Sequence, residues 1–215
     1  MLTTDTLKKQ VYHRILEGII KKDYPMDYIL KEKELAGQFE ISRAPVREAL
    51  IELCQENIVQ SIPRAGYRIV RFTEKDIHEA TELRIMLELP ILDRIVSGVH
   101  EDTLRRLFSL VEESQYTKHG LRVNLETWWH NNIRFHLAVN AAGGNSLLTD
   151  TLDRVLRRQW RIVAQLFWNN APEDYQNFES DTHEALLNAI KTGDRKRAKK
   201  ILSDDILSIR KICTY

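Results

Sequence analysis

The chain has 215 residues, with 32 lysines and arginines against 31 aspartates and glutamates. That length suffices for one large or two small domains with buried cores. No apolar run approaches the roughly 20 residues of a membrane span and the N-terminus lacks the apolar core of a signal peptide, so a cytoplasmic location is expected. Through Phe72 the balance is 12 cationic to 10 anionic side chains, and beyond it 20 to 21, so any field that attracts a polyanion is local rather than global. Cys54 and Cys213 are too few and too far apart in sequence for a disulfide framework or a four-cysteine zinc site. They read as buried or idle thiols.

In chain order, the first informative stretch is a short helix-like run from Lys31 to Phe39, KEKELAGQF, followed by ISRAPVREAL from Ile41 to Leu50. Ser42 can cap the second helix, and Pro45 lies in its first turn, where a missing N–H costs little. Val46, Leu50 and Leu53 fall at i, i+4 and i+7 and make a buried stripe. Arg43 and Arg47 share another face. With the stripe buried, two guanidinium forks point outward from the N-terminal end of what reads as a helix-turn-helix, the end that enters the major groove. Two arginines alone favour an ordinary solvated face, since most such pairs are only surface charge.

The next segment strengthens the DNA reading. Val59 to Ile62 has strand composition, Pro63 to Gly66 turns the chain, and Tyr67 to Val70 alternates as a second strand,. Such a wing can lay Arg64 along the phosphate backbone or into the minor groove, while Gly66 permits close approach.

ELA (Glu34 to Ala36), SRAPVREAL (Ser42 to Leu50) and IPRAGYRIV (Ile62 to Val70) resemble the winged helix-turn-helix of the GntR family of bacterial transcription regulators, over Val11 to Val70. The resemblance implies a backbone-contacting hydroxyl at Ser42, base-reading arginines at Arg43 and Arg47, a basic contact at Lys33 and a wing-tip glycine at Gly66. Two positions depart from the pattern. The usual Pro-Gly turn reads Pro25-Met26-Asp27, and the usual serine cap is Lys31.

Thr73-Glu74-Lys75-Asp76 has the form of a capping box that starts a second domain, giving domains of 1–72 and 73–215. Helical periodicity then predicts six helices, roughly 74–97, 101–117, 122–142, 146–169, 175–191 and 195–211, with turns at Gly143-Gly144-Asn145, Ala171-Pro172 and Thr192-Gly193-Asp194,. Pro90 is expected to kink the first of them. The fold class is therefore mainly α: a winged helix-turn-helix plus an antiparallel all-α bundle.

Within the bundle, Asn132 and His136 stand four apart on one helix face, His183 lies mid-helix two helices on, and Asp205 lies in the last helix,. Imidazoles with a carboxylate suit zinc, nickel or a similar divalent metal, but lone histidines are more often hydrogen-bonded structural residues. Residues 77 to 209 are similar to the ligand-sensing FCD domain of the FadR subfamily, in its six-helix VanR-like branch, through ELRIMLELP (Glu82 to Pro90), RFHLAVNAAGGNSLL (Arg134 to Leu148), THEALLNAI (Thr182 to Ile190) and the Gly193-Asp194 turn. That resemblance implies a metal site in which Asn132 stands for the usual aspartate and Asp205 for the usual last histidine, His136 and His183 being as expected. The carboxylate has moved, and one anionic and two imidazole ligands survive. A divalent metal and a metal-free polar pocket both remain open.

The same resemblance places Arg84 in the effector cavity, where its planar fork would suit a carboxylate; the plainer reading is a surface salt bridge with Glu88 at i+4. Trp128, Trp129 and Trp160 could line that cavity or simply belong to the core. Together these features lead us to expect a homodimeric regulator, acting as a repressor, whose two winged domains read a roughly palindromic operator and whose bundle binds a small organic acid. The alternative is a bundle that only dimerises. An enzyme is not expected: no general acid or base stands out beside His136 or His183, and no nucleophile motif occurs.

Overall fold

The computed structural model describes residues 6–25, 27–96, 98–115, 125–167 and 175–212. The Ala171-Pro172 turn, Cys213 and end residues of four expected helices lie outside the described residues. Two compact units emerge, one formed by Met1–Phe72 with Ala164–Leu166, the other by Thr73–Val163 and Phe167–Tyr215.

The first unit contains α1 (Leu7–Ile20), β1 (Ile29–Leu30), α2 (Glu32–Gln38), α3 (Arg43–Gln55), β2 (Val59–Ile62) and β3 (Gly66–Ile69). Its core is the apolar stripe of α3, with Val46, Ala49, Leu50 and Leu53 all fully buried, packed against Val11, Ile15 and Ile19 of α1 and Leu35 of α2. Burying four such side chains contributes several kcal/mol, about 1.5 to 3 for each large aliphatic residue, so the pose of α3 is set by its underside. The helix starts at Ser42, which has the extended backbone of an N-cap,. Its hydroxyl makes no capping hydrogen bond, contrary to the sequence expectation, and stays exposed.

The wing carries a third strand that periodicity did not reveal. β1 pairs antiparallel with β3, Ile29 opposite Arg68 and Leu30 opposite Tyr67, giving the order β1-β3-β2. Two residues are too few to show an alternation. The turn between β2 and β3 is closed by the Ala65 N–H donating to the Ile62 carbonyl at 3.1 Å. Arg64 sits there with φ 64°, a left-handed conformation that non-glycine residues rarely adopt.

The second unit holds α4 (Glu74–Ile95), α5 (Glu101–Glu113), α6 (Leu125–Ala141), α7 (Ser146–Phe167), α8 (Tyr175–Lys191) and α9 (Arg195–Ile212), six helices among the described residues. At the start of α4, the Asp76 carboxylate accepts from the Thr73 backbone N–H at 2.9 Å and from its hydroxyl at 2.8 Å, the reciprocal cap expected there. Helical structure continues through Pro90. Pro90 and Met86, whose carbonyl loses its i+4 donor, both lie on the exposed side of α4, where that carbonyl is open to solvent. Ile91, Leu92 and Ile95 of α4, Phe135 and Val139 of α6, Leu186, Leu187 and Ile190 of α8, and Leu202 and Ile206 of α9 form the core. Trp129 and Trp160 stack with ring centroids 5.8 Å apart, and Trp128 and Trp129 are buried. The molecule is mainly α with a small three-stranded wing. No described helix is long and apolar enough to cross a membrane.

Candidate nucleic-acid interface and buried polar cluster

On the first unit, α3 presents Arg43 and Arg47 opposite its buried stripe, and both side chains are exposed, as are Lys33 on α2 and Arg64 at the wing tip. Arg47 is not free, however. Its Nε donates to both carboxylate oxygens of Glu32, at 3.0 and 3.1 Å, and its Nη2 donates to Oε2 at 2.9 Å. The arginine remains 60% exposed while held this way. The Tyr67 hydroxyl of β3 donates to Glu32 Oε1 at 3.3 Å, so one carboxylate ties together the first turn of α2, the recognition face of α3 and the wing. Hydrogen bonding from Arg47 holds the Glu32 pKa below the usual carboxylate range. Sequence spacing could not reveal a partner fifteen residues away in another helix.

Gly66 lies beside the wing turn, paired opposite Ile62. Its φ is 134°, and a Cβ there would stand 2.5 Å from the Leu30 carbonyl oxygen. The backbone that approaches it closely is therefore β1 of the same chain, and the glycine is required by the sheet whatever else it touches.

The second unit buries an unusual set of polar side chains: Arg84 and Glu88 on α4, Asn132 and His136 on α6, Gln159 on α7, His183 on α8 and Asp205 on α9. Arg84 lies inside, 3% exposed, so the surface salt bridge considered for it is in fact a buried one: Nε donates to Glu88 Oε1 at 2.6 Å and Nη1 to Gln159 Oε1 at 2.9 Å. The second oxygen of Glu88 meets His136 Nδ1 at 2.7 Å. His136 Nε2 stands 3.2 Å from Asp205 Oδ2, and His183 Nε2 stands 3.8 Å from Asp205 Oδ1. Phe135 stacks on the His183 ring at 3.8 Å between centroids and fixes its plane. Sequence reasoning brought Asn132, His136, His183 and Asp205 to one place but missed the role of Glu88, which orients His136 from 48 residues away.

Burial disfavours charge on every member of this cluster, yet the charges oppose each other in pairs. Burial alone would lower the His136 pKa, but the Glu88 carboxylate beside it, with Asp205, outweighs both burial and Arg84 and pushes it up to about 9. Burial dominates at His183 and lowers it to about 3. Glu88 and Asp205 stay below their ordinary values, because the neighbouring cations outweigh the cost of burial.

Several buried atoms nevertheless lack a hydrogen-bond partner among the described residues: Arg84 Nη2, Asn132 Oδ1, His183 Nε2 and Asp205 Oδ1, while His136 Nε2 has only the ion pair with Asp205 Oδ2 at 3.2 Å. One ligand atom from each of His136, His183 and Asp205 lies within 4.8 Å of the others. Buried polar atoms left unpaired are rare and costly. Two imidazoles and a carboxylate facing one point make a donor set that suits a divalent first-row cation, with Glu88 on the far nitrogen of His136 as its orienting partner.

Known proteins agree with the two halves. Residues 7–69 match the model of the bacterial regulatory proteins of the gntR family, and residues 79–207 match that of the FCD domain. The chain is 28% identical over 200 residues to the gluconate operon transcriptional repressor of Bacillus subtilis (strain 168), covering 85% of this chain and 73% of that one. It is 26% identical over 208 residues to the probable D-xylose utilization operon transcriptional repressor of Paenarthrobacter nicotinovorans, covering 95% and 88% respectively. Among solved structures, E. coli McbR/YncC shares the fold with a TM-score of 0.70 at 21% identity, over 99% of this chain and 100% of that one. With an exposed arginine pair on a winged helix-turn-helix and a six-helix FCD domain following in the chain, the protein belongs to the GntR family of bacterial DNA-binding transcription regulators, a family of regulators rather than enzymes.

Proposed function

We propose that the protein is a homodimeric repressor whose FCD domain binds a small hydroxylated carboxylate, a sugar acid or a similar hydroxy acid, through a divalent metal. The observation that carries this reading is the convergence of His136, His183 and Asp205 within 4.8 Å, with unpaired buried atoms on His183 and Asp205. His136, His183 and Asp205 would hold the cation, with Asn132 one helical turn before His136 offering a weaker oxygen. What a bound cation supplies is a Lewis-acidic anchor for a carboxylate and an adjacent hydroxyl. Arg84 has one nitrogen, Nη2, uncommitted to Glu88 or Gln159, and it adds a charged donor on the α4 side. Loading would displace the His136 proton, so the cluster gains one net positive charge, matched to a monoanion. The names of the two relatives, repressors of gluconate and D-xylose operons, support repression and a sugar-derived effector.

On the DNA side, Arg43 and Arg47 read guanine edges, while Ser42, Lys33, Arg64 and the backbone at Gly66 contact phosphates. Two half-sites need two readers at fixed spacing, which a dimer supplies. A metal-free pocket is the second reading, favoured by the charge balance of Arg84 with Glu88 and of protonated His136 with Asp205. Elemental analysis of purified protein, combined with thermal melting across a panel of sugar and hydroxy acids with and without divalent metal, separates the two. Stoichiometric metal and a rise in melting temperature that needs it are expected; an acid that stabilises metal-free protein equally well selects the metal-free pocket, and no stabilising acid at all removes the sensor.

A further inference from the structure

Glu32 holds Arg47 by its side rather than by its tip. The two carboxylate oxygens take the Nε–H and one Nη2–H, and a guanidinium has five N–H donors in a fixed planar fork. Both hydrogens on Nη1 and the outer one on Nη2 remain, and one from each nitrogen makes the end-on pair that meets guanine O6 and N7. The side chain is 60% exposed at the same time, so its tip is available while its plane is fixed. Glu32 is itself only 23% exposed and receives the Tyr67 hydroxyl at 3.3 Å, so the clamp is anchored on the wing and does not swing with one loose side chain.

We infer that Glu32 is a positioning residue for DNA recognition, holding the Arg47 fork in its base-reading pose before the duplex arrives. The inference rests on the base-reading role given to Arg47 above. Near a polyanion, an anionic side chain opposes binding to any duplex, and Glu32 offsets that cost only where a fixed fork meets its base. An unclamped arginine must be ordered on binding, at a cost that corresponds to as much as about tenfold in affinity. The clamp therefore trades general affinity for discrimination. A carboxylate that merely competed with DNA for Arg47 would act in the opposite sense.

The test uses full-length protein, a duplex selected by the wild-type chain from a randomised pool, and an unrelated duplex of the same length, with affinities for both at one salt concentration. Glu32→Gln is expected to bind the unrelated duplex as tightly as wild type or more tightly, and to lose about tenfold in the ratio of selected to unrelated affinity. Tyr67→Phe, which removes only the second anchor, is expected to lose about two- to threefold of that ratio, and it carries the test if Glu32→Gln melts at a lower temperature. In an Arg47→Ala background, Glu32→Gln should leave the ratio unchanged. A ratio that stays constant or rises in Glu32→Gln, with Arg47→Ala losing it, overturns the clamp and leaves the recognition arginine standing. A ratio that survives Arg47→Ala overturns both.

Discussion

Arg47 and Arg84 each meet a glutamate, one at 2.9 Å and the other at 2.6 Å, yet the first arginine is 60% exposed and the second 3%. At the surface, solvent screens the pair and it contributes about 0 to 1 kcal/mol to stability. It is free to serve a third group arriving from outside. In the bundle, the Arg84–Glu88 pair is sealed and passes its charge on through His136 to Asp205, and removing one partner leaves another charge stranded. The same two residue types thus make a solvent-screened pair in one unit and a buried one in the other, and the difference is solvent access rather than composition.

The sharpest way to break this contrast is to compare stability losses at the two arginines. Arg84→Ala is expected to cost about 3 to 5 kcal/mol, because Glu88 is left buried without its cation, whereas Arg47→Ala should cost under about 1. Urea unfolding measures this, followed by tryptophan fluorescence for Arg84→Ala, since Trp128, Trp129 and Trp160 lie in the second unit, and by far-UV circular dichroism for Arg47→Ala, which lies in the first. Equal losses would mean that the buried network carries no more than a surface pair. Titration adds a sign to the same comparison. In metal-free protein the His136 pKa is raised to about 9 from an unfolded value near 6.5, so its stabilising contribution is complete below about pH 6.5 and is lost as pH rises through 9. Unfolding at pH 6.5 and 9 should show the bundle weakening in metal-free wild type and less so in His136→Gln.

Next in size is Glu88→Gln. A carboxylate on the far nitrogen of a ligating histidine raises its basicity and fixes its ring, and the change should weaken divalent metal binding by about 10- to 100-fold without changing its stoichiometry. Competition against a chromophoric chelator reads that shift. Unchanged affinity would make Glu88 a partner of Arg84 alone.

How much of this could be read from the chain follows the reach of each interaction. Val46, Leu50 and Leu53 lie one turn apart and announce the buried side of α3, and Asn132 and His136 do the same within α6. Asp205 and His183 were brought into the same cluster by family pattern, since nothing local links α8 to α9. Glu32 with Arg47, and Glu88 with His136, are pairs between helices fifteen and forty-eight residues apart, and no periodicity marks them. β1 escapes because a two-residue strand has no alternation, and with it escapes the second demand on Gly66, the Leu30 carbonyl that excludes a Cβ. Ser42 occupies the capping position without its bond, which leaves the hydroxyl able to meet a phosphate.

The exposed side of the comparison gives the smaller effects, and there the type of effect matters more than its size. Arg47→Ala should lose about 1 to 3 kcal/mol of discrimination between operator and unrelated duplex, as expected for one bidentate base contact. Lys33→Ala should leave that ratio nearly intact, weaken binding to both duplexes alike and reduce the salt slope by about one, because a lysine on the first turns of α2 meets phosphate and releases a counterion rather than reading a base. Affinities measured over a series of salt concentrations on both duplexes distinguish the two residues without knowledge of the effector. If Lys33→Ala alters the ratio as much as Arg47→Ala does, then α2 also enters the groove, and the division between a helix that reads and a helix that anchors fails.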